Sequence, residues 1–300
     1  MGYSLHPLMK NVTIVIPIRN RAAFLPQLFA TLADVTYEEL EILLVDNAST
    51  DSSLGRCRSF AEDAPMVVTV IEEPTPGANA ARNRGLAACR TDWVYFFDSD
   101  DELTSTFLEE IMPLVTDEDM IAFPTRMEKG GHTFTRAFRP SPSPASQILS
   151  STLNTQGMLF RTAFLRQIGG WDTRLDVWQD WELGIRALLH RPRILWLRQP
   201  FHLIHIHPDS ITGPSMSARL AERQATLDCV AGEIEAPADC RALFLRQAIL
   251  FGMLRREGAS SAAYSYRVRA GLWYRFLAFL LRHYTALGGR GAWRIALFFC

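Results

Sequence analysis

Apolar residues in the first hundred positions follow two alternating rhythms. Val12-Thr-Ile-Val-Ile-Pro17, Glu41-Ile-Leu-Leu-Val45, Met66-Val-Val-Thr-Val-Ile71 and Trp93-Val-Tyr-Phe-Phe97 are short runs rich in β-branched or aromatic residues. Such runs mark strands, and the first, ended by proline, reads as a buried one. Between them, residues 20–32 space their apolar side chains at helical intervals, and residues 77–88 are rich in Ala and Arg. Strand alternating with helix predicts an α/β fold, a mainly parallel sheet joined by crossover helices. Ligands of such sheets sit beyond the carboxyl ends of the strands. Three polar clusters, residues 17–21, 46–51 and 98–101, fall at those ends, so one crevice is expected to collect them.

The rhythm then loosens. Pro140-Ser-Pro-Ser-Pro144 predicts an exposed loop bordering the crevice. A strand-like Gly157-Met-Leu-Phe160, a helix from Thr162, the turn Gly169-Gly-Trp-Asp172 and a helix from Trp178 to about His190 follow. Beyond residue 215 the pattern is helical, which predicts two domains, 1–215 and 216–300.

Charge sharpens this division. The chain of 300 residues has a net charge of -1, which argues against a nucleic-acid partner. Yet residues 1–215 carry a net -7 and residues 216–300 a net +6. Five cysteines without a Cys-x-x-Cys pair suggest a reducing compartment and no zinc site. No apolar run of signal-peptide type precedes the first strand, and no stretch of eighteen apolar residues is present. A cytoplasmic location is the resulting expectation.

The candidate chemistry is acidic. Asp98-Ser99-Asp100 follows an aromatic strand, and residues two apart on extended backbone point the same way. Two carboxylates on one side can share Mn²⁺ or Mg²⁺ through hard oxygen ligands, although a solvated acidic turn reads the same. Arg82 and Arg84 are placed to meet a diphosphate, or to form a solvated helix face. Asp180 lies at a helix start between Trp178 and Trp181. Partial desolvation there would raise its pKa and suit it to proton abstraction; a helix-dipole role is the plainer alternative. His202, His205 and His207 alternate along a strand-like run, and His207 is the best further metal-ligand candidate.

Together these segments resemble the family 2 glycosyltransferases, which have the nucleotide-binding GT-A fold. The likeness rests on Val12-Thr-Ile-Val-Ile-Pro-Ile-Arg-Asn-Arg21, Val45-Asp-Asn-Ala-Ser-Thr-Asp51, residues 77–85 with Val94-Tyr-Phe-Phe-Asp-Ser-Asp-Asp101, and Gly169-Gly-Trp-Asp172 with Gln179-Asp-Trp-Glu182. It covers roughly residues 10–212. It implies that Pro17, Ile18 and Arg19 line the donor-base pocket, Asp46 bonds the base and Arg82 holds the nucleotide. It implies further that Asp98 and Ser99 meet the sugar nucleotide, that Asp98, Asp100 and His207 hold the metal, and that Asp180 is the catalytic base. Trp178, Trp181 and Glu182 fall on the acceptor side. Arg19 stands where an aromatic residue is frequent, and Gln179 where Glu is frequent.

The resemblance implies inverting transfer of a single sugar from a nucleotide-sugar, UDP-linked by family habit with dTDP and GDP open. The acceptor would be a glycan or lipid-linked hydroxyl in bacterial surface polysaccharide or glycolipid assembly. The Gln-x-x-Arg-Trp element and spanning helices of processive members are missing. A D-x-D phosphohydrolase, a sugar nucleotidyltransferase and a non-catalytic sugar-binding module are the competing readings. Residues 265–300 are basic and amphipathic. They read as a peripheral contact with the inner face of the cell membrane, as a helical cap on the catalytic domain, or as a homodimer contact.

Overall fold

The structure is a computed structural model and describes residues 11–206, 217–259 and 265–300. In chain order its elements begin β1 (Val12–Ile18), α1 (Leu25–Ala33), β2 (Leu40–Asp46), α2 (Ser53–Asp63), β3 (Val67–Glu72), α3 (Ala78–Ala88) and β4 (Trp93–Phe96). Next come α4 (Phe107–Ile111), β5 (Met120–Ala122), β6 (Thr125–Lys129), β7 (His132–Thr135), α5 (Pro144–Ser150), β8 (Met158–Arg161) and α6 (Thr162–Gln167). The last are α7 (Gln179–Leu189), β9 (Ile194–Trp196), β10 (Phe201–His205), α8 (Leu220–Glu233), α9 (Pro237–Arg256), α10 (Leu272–Ala286) and α11 (Ala292–Phe298).

Two compact units share this chain and interleave along it. Among the described residues the first comprises 11–138, 155–173 and 192–206, and the second 139–154, 174–191, 217–259 and 265–300. Two segments that precede residue 215 thus pack with the later helices, so contact does not follow a single cut along the sequence.

The first unit is built on a seven-stranded sheet of order β3-β2-β1-β4-β8-β5-β9. β1, β2, β3 and β4 run parallel, and β8 is antiparallel to both of its neighbours. Val12, Ile14, Ile16 and Ile18 pack on one face with Leu25, Leu28 and Leu32 of α1. Each such side chain contributes about 1.5–3 kcal/mol on burial. On the other face α3 crosses β1 so closely that a Cβ on Gly85 would lie 2.3 Å from Val15 Cγ1. A three-stranded sheet, β10-β6-β7, completes this unit.

The second unit is helical. Its core joins Ile148 and Leu149 of α5, Trp181 and Ile185 of α7, and apolar residues of α8, α9, α10 and α11. The predicted loop at 140–144 is corrected at its end: Pro144 opens α5, and Ser143 Oγ caps it by accepting from Ser146 N at 3.4 Å. Proline suits the first helical turn, where its missing N–H costs nothing. Among the described residues no helix is long and apolar enough to cross a membrane.

Candidate active site

Register places the carboxyl ends of β1, β2 and β3 level, with Ile18 opposite Asp46 and Asp46 opposite Glu72. The two loops leaving β1 and β2 are tied together. Asn20 N donates to Ser49 Oγ, Thr50 N to Asn20 Oδ1, Arg21 N to Ser53 Oγ and Ala22 N to Asp51 Oδ2. Hydrogen bonds, with Ser53 the main donor, hold the Asp51 carboxyl below its ordinary range. Asn47, which the sequence reading passed over, fastens a third segment: its Nδ2 donates to Glu73 O and Thr75 O, and its Oδ1 accepts from Gly77 N.

Asp46 sits inside this frame at 3% exposure. Its Oδ2 accepts from Ser49 N at 3.1 Å, whereas Oδ1 is buried with no hydrogen-bond partner among the described residues. A buried acceptor without a donor costs about 1–3 kcal/mol, a cost that any N–H reaching Asp46 Oδ1 would relieve. Of its expected neighbours, Pro17 is half-buried and Arg19 exposed. Ile18 is a correction: its side chain is fully buried in the core. Its carbonyl alone serves the loop, accepting from Asn47 N at 2.7 Å.

On the other side of β1, β4 runs into residues 98–101. Asp98 and Asp100 are partly exposed while Ser99 and Asp101 are buried, at 4% and 5% exposure. Ser99 and Asp100 lie in a turn beyond the strand, so the extended backbone expected for this segment ends before the two carboxylates, and only their shared partial exposure distinguishes them from Ser99 and Asp101. Asp98 is held at both oxygens: Oδ1 accepts from Arg82 Nη2 at 2.8 Å and Oδ2 from Gln156 Nε2 at 2.7 Å. Each oxygen retains a second lone pair. Asp100 Oδ2 lies 3.4 Å from Arg21 Nη2, longer than a charge-assisted hydrogen bond of about 2.8 Å. Two partly exposed carboxylates two residues apart are the oxygen ligands that could hold a hard divalent cation.

Gln156 is the residue that motif reading missed. It lies in a short turn before β8, with no chemical signature of its own. Its Nε2 also donates to Asp101 Oδ2 at 2.7 Å, while its backbone carbonyl accepts from the Tyr95 hydroxyl. Asp101 accepts from His205 N as well. Burial first, then the charges of Asp98 and Asp100, push its carboxyl well above the ordinary range.

Arg82 is buried, bonds Asn79 Oδ1 at 3.0 Å and stacks 4.5 Å from the Trp171 ring. Arg84 is exposed, since residues two apart on a helix diverge. The Gly169-Gly-Trp-Asp172 turn clamps α3. Asn83 Nδ2 donates to Trp171 O and Asn83 Oδ1 accepts from Trp171 N, while Asn79 Nδ2 donates to Asp172 O. Gly170 has φ +66°, and a Cβ there would sit 2.7 Å from Asn83 Oδ1.

The three histidines separate. His202 is fully buried among Tyr95, Phe97, Phe107 and Phe123, and its Nδ1 accepts from Thr104 N at 3.0 Å. His205 faces Glu102 and Glu128 at 2.9 and 3.4 Å. His207 lies outside the described residues.

Asp180 belongs to the second unit, half-buried in the first turn of α7, with Oδ1 accepting from Trp181 N. Trp178 precedes it with a left-handed φ of 55° and lies under Arg223. Trp181 and Glu182, expected on the acceptor side, point instead into the packed interior of that unit. Trp181 Nε1 donates to Ile148 O, and Glu182, 1% exposed, takes two bonds from Arg186. Among the described residues Glu182, Cys229 and Glu233 bring three potential metal ligands within 4.8 Å. The Arg186 guanidinium, in contact with both glutamates, supplies the positive charge there.

Comparison with known proteins converges on one family. The model of glycosyl transferase family 2 matches residues 13–171. The O-antigen biosynthesis protein RfbC of Myxococcus xanthus is 29% identical over 221 residues, 70% of this chain and 17% of RfbC. The chain spans about a third or less of the length of several curated relatives. Among solved structures, Staphylococcus aureus TarS 1-349 in complex with UDP-GlcNAc superposes with a TM-score of 0.67 at 17% identity, covering 95% of this chain and 90% of that one. The mannosyltransferase PcManGT of Pyrobaculum calidifontis, in complex with GDP-Man and Mn2+, gives 0.52 at 15% identity, covering 97% and 74%. Both share the GT-A fold with this chain. A family match over more than half of the residues, laid on a sheet whose strand ends carry the acidic clusters, makes the conclusion plain: the chain belongs to glycosyl transferase family 2.

Proposed function

We propose that this enzyme moves a single sugar, with inversion, from a UDP-sugar to the hydroxyl of a glycan or lipid-linked acceptor in bacterial surface polysaccharide or glycolipid assembly, on the cytoplasmic side of the membrane. The observation that carries the proposal is the flanking of β1 by two acidic strand ends. Asp46, with its buried and unsatisfied oxygen, ends β2, and the partly exposed pair Asp98 and Asp100 follows β4. A nucleobase N–H would satisfy Asp46 Oδ1. Arg82, fixed by Asn79, Asp98 and Trp171, would stay oriented toward the nucleotide.

Asp98 and Asp100, with His207, would hold Mn²⁺ or Mg²⁺. Such an ion, when bound, neutralises charge growing on the departing diphosphate. Asp180 would take the proton of the acceptor hydroxyl as its oxygen bonds to the anomeric carbon. The bond from that carbon to the diphosphate breaks on the opposite face, so one displacement inverts configuration. No carboxylate nucleophile is needed, unlike in retaining glycosidases. The GDP-Man of PcManGT keeps GDP-sugars in view as donors.

The test is donor turnover with a panel of nucleotide-sugars and Mn²⁺, comparing the native chain with Asp100→Ala and Asp180→Asn. Each substitution should lower turnover by about 10²-fold or more, with the fold intact by circular dichroism. Near-native transfer by either variant would refute its assigned role.

A further inference from the structure

We infer that α10 and α11 form a surface that binds an anionic lipid leaflet. α10 has two apolar faces. Leu277, Ala278, Leu281 and Thr285 are buried against the second unit. The other face carries Leu272, Trp273, Phe276, Phe279, Leu280 and Leu287, all exposed, with Leu272 at 84% and Leu287 at 89%. At about 100° per residue these six fall within an arc of about 120°. Ile295 and Phe298 of α11 are exposed as well. An apolar patch of this size is rare on a surface that meets only water.

Charge selects the occupant. From residue 258 to 300 there are six arginines and no Asp or Glu, so this stretch is +6 while the rest of the chain is -7. Arg275 and Arg282 lie seven residues apart on one flank of the exposed arc, between it and the core-facing side. Arg290, just before α11, and Arg294, within it, are exposed. An apolar strip edged by arginine is how a helix lies in the plane of a leaflet, its greasy face among acyl chains and its cations on phosphate. A second copy of the chain suits this face less. A two-fold contact would bring the arginines of two copies together with no carboxylate from either segment to offset them. No helix among the described residues can span the bilayer, so the contact is peripheral.

Sedimentation of the full chain with vesicles tests this directly, using phosphatidylcholine alone and phosphatidylcholine mixed with phosphatidylglycerol. Binding should be about tenfold or more stronger on the anionic vesicles, and should weaken as added salt shortens the screening length. Arg275→Glu with Arg294→Glu, both at exposed positions, should reduce anionic binding about tenfold or more. Phe276→Ser with Phe279→Ser should reduce it comparably. All variants should melt like the native chain and turn over nucleotide-sugar donor at the native rate, which separates this inference from the assignment of the active site. Absent binding, or equal binding to both vesicle types, overturns the inference. So does a dimer in sedimentation equilibrium that the two serine substitutions dissociate, since the face would then belong to a second copy.

Discussion

At the scale of single residues, the carboxylates of the candidate site are held in part by an amide that carries no motif. Gln156 is the clearest case, since one Nε2 bridges Asp98 and Asp101. Replacing it with Glu would set a third carboxylate against these two. Removing a partner from a buried acceptor costs about 1–3 kcal/mol, and repulsion adds to that. Gln156→Glu should therefore lower the melting temperature measurably and raise the donor KM, and both defects should ease as pH falls and the carboxyls protonate. Thermal melts and kinetics at two pH values would check it, and an unchanged melting temperature would contradict the bridging role.

His202 shows the opposite fate of a chemically suggestive residue. Burial, aided by the charge of Arg126, depresses its pKa from 6.5 to about 3. A proton enters the unfolded chain below about pH 6.5 but enters the native ring only near pH 3. The neutral ring thus contributes stability that is fully present above pH 6.5 and drains away as pH falls toward 3. His202→Asn keeps a polar atom for Thr104 N and suits the left-handed φ of 55°, yet cannot titrate. The variant should start less stable at pH 7, and below pH 6.5 it should lose up to about 1.4 kcal/mol per pH unit less than the native chain. Urea unfolding across that range would show parallel curves if the ring were solvated.

At the scale of elements, α3 decides where the basic residues of the site stand. Its approach to β1 depends on Gly85, and its other side is gripped by the 169–172 turn through Asn79 and Asn83. Alanine at residue 85 would gain about 1 kcal/mol in helix propensity. It would also place Cβ 2.3 Å from Val15 Cγ1, in a sheet interior with no room to yield. Overpacking of that kind costs about 1–3 kcal/mol, so the clash wins. Gly85→Ala should unfold at lower denaturant concentration and bind donor more weakly, because Arg82 rides on the same helix. A midpoint equal to that of the native chain would show that α3 can shift without cost.

At the scale of the whole molecule, periodicity and composition were enough to foresee the alternating strands and helices of residues 12–97, the acidic strand ends and the helical, basic character of the last part. Those features are local. A β-branched run or a change in charge density is written in neighbouring residues, and strand ends follow once the strands are known. Short elements such as β5, β6, β7 and β9 left no such mark, because three to five residues are too few to show a period. What tertiary structure alone decided was partnership. That Gln156 reaches Asp98 and Asp101, that Ile18, Trp181 and Glu182 turn inward, that residues 139–154 and 174–191 pack with the later helices, and that α10 keeps a second apolar face uncovered all depend on contacts between segments far apart in sequence. Amphipathicity tells a helix that it has a face to bury; only the assembled chain determines whether protein is there to bury it.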